Sequence, residues 1–172
     1  MMNKSILLMG TLLVSTFVEI AAQKNSENPN IIFVLADDMG IGDLGCYGQK
    51  KIKTPNIDKL AEKGVLFTNH YSGSTVSAPS RCSLLTGKHT GHAYIRGNKG
   101  IKSEEGFFDL HLPSDEVTVA EILKRKGYAT MCVGKWGLGG PHTTGSPVRK
   151  GFDYFFGYLS QGAAHRYYPE YL

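Results

Sequence analysis

The chain has 172 residues, 41% of them hydrophobic and 20% charged, a balance that suits one modest globular domain and excludes a disordered chain. A net charge of +4, with the lysines and arginines scattered along the chain, offers no basic block for a nucleic-acid partner. Three cysteines without regular spacing, Cys46, Cys82 and Cys132, make neither a disulfide framework nor a zinc motif and read as buried free thiols.

The first residues combine a short basic start, Met1-Met2-Asn3-Lys4, an apolar stretch over residues 5–17, and the small pair Ala21-Ala22 before a polar run. This is a secretory signal pattern with cleavage expected near Ala22. The division expected is a signal peptide over 1–22, a linker over 23–29 and a folded part over 30–172. The apolar stretch falls short of the roughly 20 residues a membrane span requires, and Glu19 interrupts its end, so an exported product without a stable membrane anchor is expected.

Residues 31–36 are a continuous apolar run of strand length, the kind found in a parallel sheet covered on both faces. The run stops at Asp37-Asp38. Two adjacent carboxylates at the C-terminal end of such a strand read either as loop or cap residues or as oxygen ligands for a hard cation such as Ca²⁺ or Mg²⁺, at the edge where open α/β sheets bind ligands. The glycine-rich loop over 39–48 follows. Thr54-Pro55-Asn56 then opens a helix, with Thr54 as N-cap and proline at the first position. Ile57, Leu60 and Ala61 give it one apolar face and Gly64 its stop. Residues 65–67 read as another short strand.

The run Ser77-Ala78-Pro79-Ser80-Arg81-Cys82-Ser83-Leu84-Leu85-Thr86-Gly87 reads as a short helix with Pro79 in its first turn, Leu84 and Leu85 on its buried side, and Gly87 as its stop. Ser77 then sits just before the helix N-terminus, where free N–H groups and the dipole favour negative charge. Arg81, one turn on, reaches back with a planar fork suited to oxyanions. Taken alone, the run also reads as an ordinary Ser/Pro cap. Residues 88–100 are polar and glycine-rich and carry His89, His92 and Arg96.

Thr118-Val119-Ala120-Glu121 is a capping box that starts a second amphipathic helix, with Val119, Ile122 and Leu123 facing the core and Gly127 ending it. Residues 128–133 read as a strand running into Gly134-Lys135-Trp136-Gly137-Leu138-Gly139-Gly140. The aromatic stretch from Gly151 to Tyr158 reads as a packed connection, and for the aromatic tail from Phe152 to Tyr171 core packing is favoured over a sugar-binding wall. The order strand, helix, strand, helix, helix, strand predicts an α/β fold with a mainly parallel sheet. Its loops would carry Asp37, Asp38, Ser77, Arg81 and Lys135 toward one edge. That set suits metal-assisted attack on a sulfate or phosphate ester.

These residues resemble the type I sulfatases of the alkaline phosphatase superfamily, of the arylsulfatase and N-acetylgalactosamine-6-sulfatase kind. The likeness runs from residues 29–38 through Gly42-Asp43-Leu44-Gly45-Cys46-Tyr47-Gly48 and Thr54-Pro55-Asn56-Ile57-Asp58 to Gly134-Lys135-Trp136 and Gly151-Phe152-Asp153. Its core is the family signature: Cys or Ser, any residue, Pro, Ser or Ala, Arg, three residues, Leu-Thr-Gly. Here that signature stands complete over Ser77 to Gly87.

The resemblance implies a mainly parallel sheet flanked by helices and a sulfuric ester hydrolase acting on a sulfated small molecule or glycan. It implies that Ser77 is the precursor of Cα-formylglycine, made by a serine-type radical maturase, with a periplasmic destination. One hydroxyl of the hydrated aldehyde then attacks sulfur and displaces the alcohol; the other helps to expel sulfate and restore the aldehyde. Asp37, Asp38 and the residue-77 oxygen would bind Ca²⁺, with Mg²⁺ as the other candidate. Arg81 would hold the formylglycine, and Lys135 would contact the sulfate. Cys82 lies inside the signature but not at its first position.

Two departures stand out. The family reads Gly-Lys-Trp-His-Leu-Gly where this chain has Gly137, so the histidine's role falls vacant or passes to another residue, with His89 and His142 as candidates. The chain is also far shorter than such sulfatases, and an N-terminal portion of the catalytic domain is expected. The competing readings are a phosphate mono- or diester hydrolase of the same superfamily and an inactive truncated fragment.

Overall fold

The computed structural model describes residues 28–98, 100–103 and 106–168. The expected signal peptide (1–22), most of the expected linker (23–29) and the end of the aromatic tail (169–172) lie outside the described residues. The chain divides after Ala36 into two units.

Of the first unit, residues 28–36 are described, and they carry no regular secondary structure. Ile31, Ile32, Phe33, Val34 and Leu35 are exposed. The strand expected at 31–36 is therefore not formed. A strand's N–H and C=O groups need a laddered neighbour, and among the described residues none pairs with this run.

The second unit holds α1 (Pro55–Lys63), α2 (Ser77–Thr86), β1 (Gly100–Ser103), β2 (Gly106–Asp109), α3 (Val119–Arg125), β3 (Met131–Lys135), β4 (Tyr154–Tyr158) and α4 (Gln161–Ala164). Strands β1 and β2 form an antiparallel hairpin with Gly100 opposite Asp109. Strands β3 and β4 form a parallel pair with Met131 opposite Tyr154 and Lys135 opposite Tyr158. Helices with a parallel pair match the α/β expectation. The hairpin and β4 were not foreseen, and residues 65–67 form no strand.

Local signals worked where they were strong. Thr118 Oγ1 accepts from the Glu121 N–H at 3.3 Å and the Glu121 carboxylate accepts from the Thr118 N–H at 2.8 Å, the reciprocal capping box. Gly87 ends α2 at φ +67, a left-handed cap. Pro55 opens α1, but the Thr54 hydroxyl does not cap it. That hydroxyl instead accepts from the Gly45 N–H at 2.9 Å and donates to Asp58 at 2.9 Å, while Asp58 also accepts from the Cys46 N–H at 2.7 Å. The start of α1 is thereby tied to the glycine loop.

The expected buried faces need correction. Ile57 and Leu60 of α1, Leu84 of α2, and Val119 and Ile122 of α3 are all exposed. Periodicity marks which side of a helix is apolar, not whether anything packs there. The core lies elsewhere: Ala78, Cys82, Ala93, Ile95, Leu112, Trp136 and Leu138 are buried together, with Leu85, Leu110, Cys132, Phe152, Phe155 and Leu159 packed against them. Phe152 and Phe155 thus bear out the packing reading, whereas Tyr154, Phe156, Tyr167 and Tyr168 are exposed. The alternation of the parallel pair explains the split: Cys132 and Phe155 face the core, while Met131, Val133, Tyr154 and Phe156 face away. All three cysteines are free thiols, and burial raises the pKa of Cys82 and Cys132.

Lys150 had no signal in the sequence. It is 1% exposed, and its ammonium donates to the carbonyls of Glu116 at 2.7 Å and Ser114 at 3.3 Å. Its own carbonyl accepts from the Thr118 hydroxyl at 2.7 Å, which locks the turn before β4 to the start of α3.

A second tie joins the entries to the two parallel strands. The Asp153 carboxylate accepts from the Thr130 N–H at 2.9 Å and the Thr130 hydroxyl at 3.0 Å, and pairs with Lys124 at 2.6 Å. The Lys124 contact, followed by those from Thr130, lowers the Asp153 pKa to about 2. A carboxylate with a depressed folded-state pKa stabilises the fold above its unfolded pKa and loses that contribution as pH falls toward the folded one. Between about pH 4 and pH 2 the wild type is therefore expected to lose stability with a slope that Asp153→Asn lacks, measured by urea unfolding at stepped pH. Equal slopes in the two proteins would contradict this.

Candidate active site

Helix α2 begins at Ser77, with Val76 as an N-cap that offers no side-chain acceptor. Ser80 N makes the helix's own first i→i−4 bond, to the Val76 carbonyl at 3.2 Å, and one of the orphan N–H groups before it is satisfied from elsewhere: Ala78 N donates to Asn98 Oδ1 at 3.0 Å. Asn98 is a remote cap, supplied from 20 residues on, and it fixes the backbone beside Ser77. Ala78, Pro79 and Cys82 anchor the helix in the core. The first turn is thus held rigidly while the Ser77 hydroxyl stays available.

Arg81 connects the site. Its Nε donates to Ser77 Oγ at 2.9 Å, one guanidinium nitrogen donates to the Lys135 carbonyl at 2.5 Å, and the other meets Asp37 Oδ1 at 3.4 Å. Its side chain is 16% exposed. A planar fork with several fixed donors suits such a junction of three chain segments. Lys135, the last residue of β3, extends its ammonium to Asp37 Oδ2 at 3.0 Å. Both Asp37 oxygens therefore face a cation. The Lys135 hydrogen bond, partly opposed by burial and aided by the charges of Lys135, Arg81 and His165, holds the Asp37 carboxyl below its ordinary pKa.

Strand β3 aims Lys135 through the residue that follows it. Trp136 is 2% exposed; its N–H donates to the Tyr158 carbonyl at 2.9 Å and its indole N–H to the Gly145 carbonyl at 2.8 Å. The indole meets Phe152 edge-on, with ring centres 5.8 Å apart. A buried tryptophan pinned at both ends leaves the preceding lysine little freedom.

Ser77, Arg81, Lys135 and Asp37, drawn from three separate stretches, come together. Asp38 is exposed and takes a left-handed backbone, φ +54, which is uncommon for a residue other than glycine. His89 and His142 do not join the group. Both are exposed; the His89 ring accepts from the Gly91 N–H at 3.1 Å, and neither makes a hydrogen bond or ion pair with Asp37, Ser77, Arg81 or Lys135. A cavity of about 490 Å³ lined by His92, Tyr94, Arg96 and Glu116 lies elsewhere, and Asp37, Ser77, Arg81 and Lys135 do not line it. Sequence reasoning passed over Asn98, for which no local pattern gives a signal.

The Sulfatase family model matches residues 29–172. The chain belongs to the sulfatase family. It is 48% identical over 142 residues to an N-acetylgalactosamine-6-O-sulfatase of Bacteroides thetaiotaomicron, covering 77% of this chain and 27% of that protein. To the human steryl-sulfatase it is 42% identical over 151 residues, covering 82% of this chain and 25% of that protein. A solved structure designated BT33336S-sulf, connected with the metabolism of multiple glycosaminoglycans by Bacteroides thetaiotaomicron, superimposes with a TM-score of 0.67. It is 45% identical, over 78% of this chain and 29% of that one. The sulfatase fold is thereby shared, and the chain spans about a quarter of the length of the curated relatives it matches. Among the described residues no helix is long and apolar enough to cross a membrane.

Proposed function

We propose that the full-length sulfatase carrying this chain hydrolyses sulfate esters, with Ser77 converted to Cα-formylglycine as its nucleophile. The observation that carries this reading is the position of Ser77: first residue of α2, bonded to Arg81, which itself reaches Asp37 and the Lys135 carbonyl. When formed, the formylglycine supplies a hydrated aldehyde whose hydroxyl attacks sulfur. Arg81 holds the residue-77 oxygen in place, and Lys135 and Arg81 present positive charge where the sulfate oxygens gather charge. The helix N-terminus adds to that field.

The donor set suits part of a hard-cation site. Asp37 and Asp38 supply carboxylate oxygens and residue 77 a further oxygen, the ligand type that Ca²⁺ and Mg²⁺ take. Ca²⁺ takes six to eight such oxygens, and among the described residues no group of three or more His, Cys, Asp or Glu side chains could hold a metal. The remaining ligands of a bound cation come, on this reading, from the rest of the catalytic domain. The cation would neutralise sulfate charge beside Asp37 and Asp38.

The substrate class proposed is a sulfated glycan, on the strength of the N-acetylgalactosamine-6-O-sulfatase likeness; the steryl-sulfatase likeness marks the alternative to be tested. A periplasmic destination after cleavage near Ala22, and maturation by a serine-type radical enzyme, complete the proposal. Two assays of the full-length protein, co-expressed with such a maturase, test it. The tryptic peptide bearing residue 77 should be lighter by two hydrogens than its unmodified form, and 4-nitrophenyl sulfate should be cleaved faster than 4-nitrophenyl phosphate. An unmodified Ser77 in an active protein would sink the nucleophile. A preference for the phosphate would favour the phosphohydrolase reading.

A further inference from the structure

Helix α2 has no cap of its own, and the chain returns to supply one. A side-chain acceptor before a helix ordinarily takes the N–H of the second or third helical residue. Val76, in the N-cap place, offers no such acceptor, and Pro79, the third residue, has no N–H to satisfy. The Ala78 N–H is the donor left open, and Asn98 Oδ1 accepts from it at 3.0 Å. Residues 88–98 carry that amide there. They leave the end of α2 after Gly87 and run back to its start as a strap, which is tied along its length. Lys88 Nζ donates to the two Glu116 oxygens at 2.8 and 2.7 Å, and Thr90 Oγ1 donates to the Gly73 carbonyl. Ala93 and Ile95 are fully buried, in the same core cluster as Ala78 and Cys82 of α2. Arg96 Nε closes the last stretch by donating to the Ala93 carbonyl at 3.0 Å.

We propose that Asn98 is a positioning residue for the nucleophile: a neutral cap, delivered by the strap, that orders the first turn of α2 and leaves the positive end of the helix to the sulfate. The N–H it holds belongs to the peptide that joins Ser77 to Ala78. The orientation of that peptide sets the backbone of residue 77 and so the direction of its side chain, whose oxygen Arg81 Nε meets at 2.9 Å. The residue type matters as much as the place. Aspartate caps a helix about as well as asparagine, and on a helix with no ligand its charge would suit the dipole better. At this end of α2 a carboxylate would repel the anion that Arg81 and Lys135 draw in. An uncharged amide satisfies the N–H without cancelling that field.

The inference rests on the sulfatase reading, so the test separates the two. In the full-length, maturase-treated protein, kcat and KM for 4-nitrophenyl sulfate and the inhibition constant of inorganic sulfate are measured, together with the residue-77 peptide mass and the melting temperature. Asn98→Ala is expected to lower the melting temperature and to lower kcat by about 10- to 100-fold, as misplacement of a reacting group does, with KM changed by less than about threefold and the residue-77 mass as in wild type. Asn98→Asp keeps the acceptor, so it folds even if the alanine variant does not. It is expected to restore the melting temperature and most of kcat, while KM and the inhibition constant of sulfate both rise by about two- to tenfold, the scale of a charge at a helix end. A cap with a merely structural role would be rescued by aspartate in every readout. Wild-type kcat in Asn98→Ala would overturn the inference, and so would an Asn98→Asp protein with wild-type KM and sulfate inhibition, or one as destabilised as the alanine variant. Ser77→Ala serves as the control: activity that survives it overturns the sulfatase reading itself, whatever the 98 variants do.

Discussion

Arg81→Ala in the full-length protein is expected to abolish measurable sulfate-ester turnover, and Arg81→Lys to lower kcat by about 100- to 1000-fold, the range seen on removing one preorganised charge-stabilising donor. The reason is geometric. One guanidinium serves Ser77 Oγ at 2.9 Å, the Lys135 carbonyl at 2.5 Å and Asp37 at 3.4 Å. An ammonium on a flexible stem keeps the charge but cannot hold three directed bonds in one plane. The side chain is largely buried, so no water readily replaces it at the Lys135 carbonyl. The check is kcat for 4-nitrophenyl sulfate, with the peptide mass at residue 77 confirming that maturation is unimpaired. An Arg81→Lys variant with wild-type kcat would refute the assignment of Arg81 as the junction of the site.

Gly157→Ala is expected to carry the largest stability cost in the described chain, about 3–5 kcal/mol, the scale of overpacking added to a forbidden backbone conformation. Gly157 sits in β4 at φ +144, opposite Gly134 of β3. A Cβ there would meet the Gly134 oxygen at 2.1 Å and its carbonyl carbon and nitrogen at 2.8 Å. All three contacts are backbone, so no side chain can swing aside. The two glycines let the parallel strands come together one residue before Lys135, and the variant should loosen that lysine as well. Urea unfolding of the full-length protein should show a lower midpoint with little change in slope. A midpoint within experimental error of wild type would show that the pair tolerates the extra carbon.

The two predictions divide along what a sequence can show. Arg81 was legible because its partner in the signature, Ser77, lies one helical turn away, and a spacing of four residues is itself a structural statement. Gly157 was not, because its reason is Gly134, a strand partner, and β4 itself read as a connection. The same holds for Lys150, whose buried ammonium answers carbonyls 34 and 36 residues away, and for Asn98, which caps α2 from 20 residues on. His89 and His142 show the cost of answering from proximity in sequence: both were near the right loops and neither reached the site.

By itself the sequence determined the short helix α2 with Pro79 in its first turn and its glycine stop, the capping box of α3, the sulfatase signature, and the cast of polar and charged residues at 37, 38, 77, 81 and 135; that α2 starts at Ser77 itself was the structure's to show. These depend on backbone conformation, capping and helical spacing, which act over a few residues and are written in local chemistry. The tertiary structure decided which of them meet. Arg81 joins Lys135 across 54 residues and Lys135 joins Asp37 across 98, contacts that exist only once loop closure has been compensated by packing around Trp136. It also decided which apolar faces are covered, because burial and steric fit belong to the assembled set of neighbours and to no single stretch of the chain.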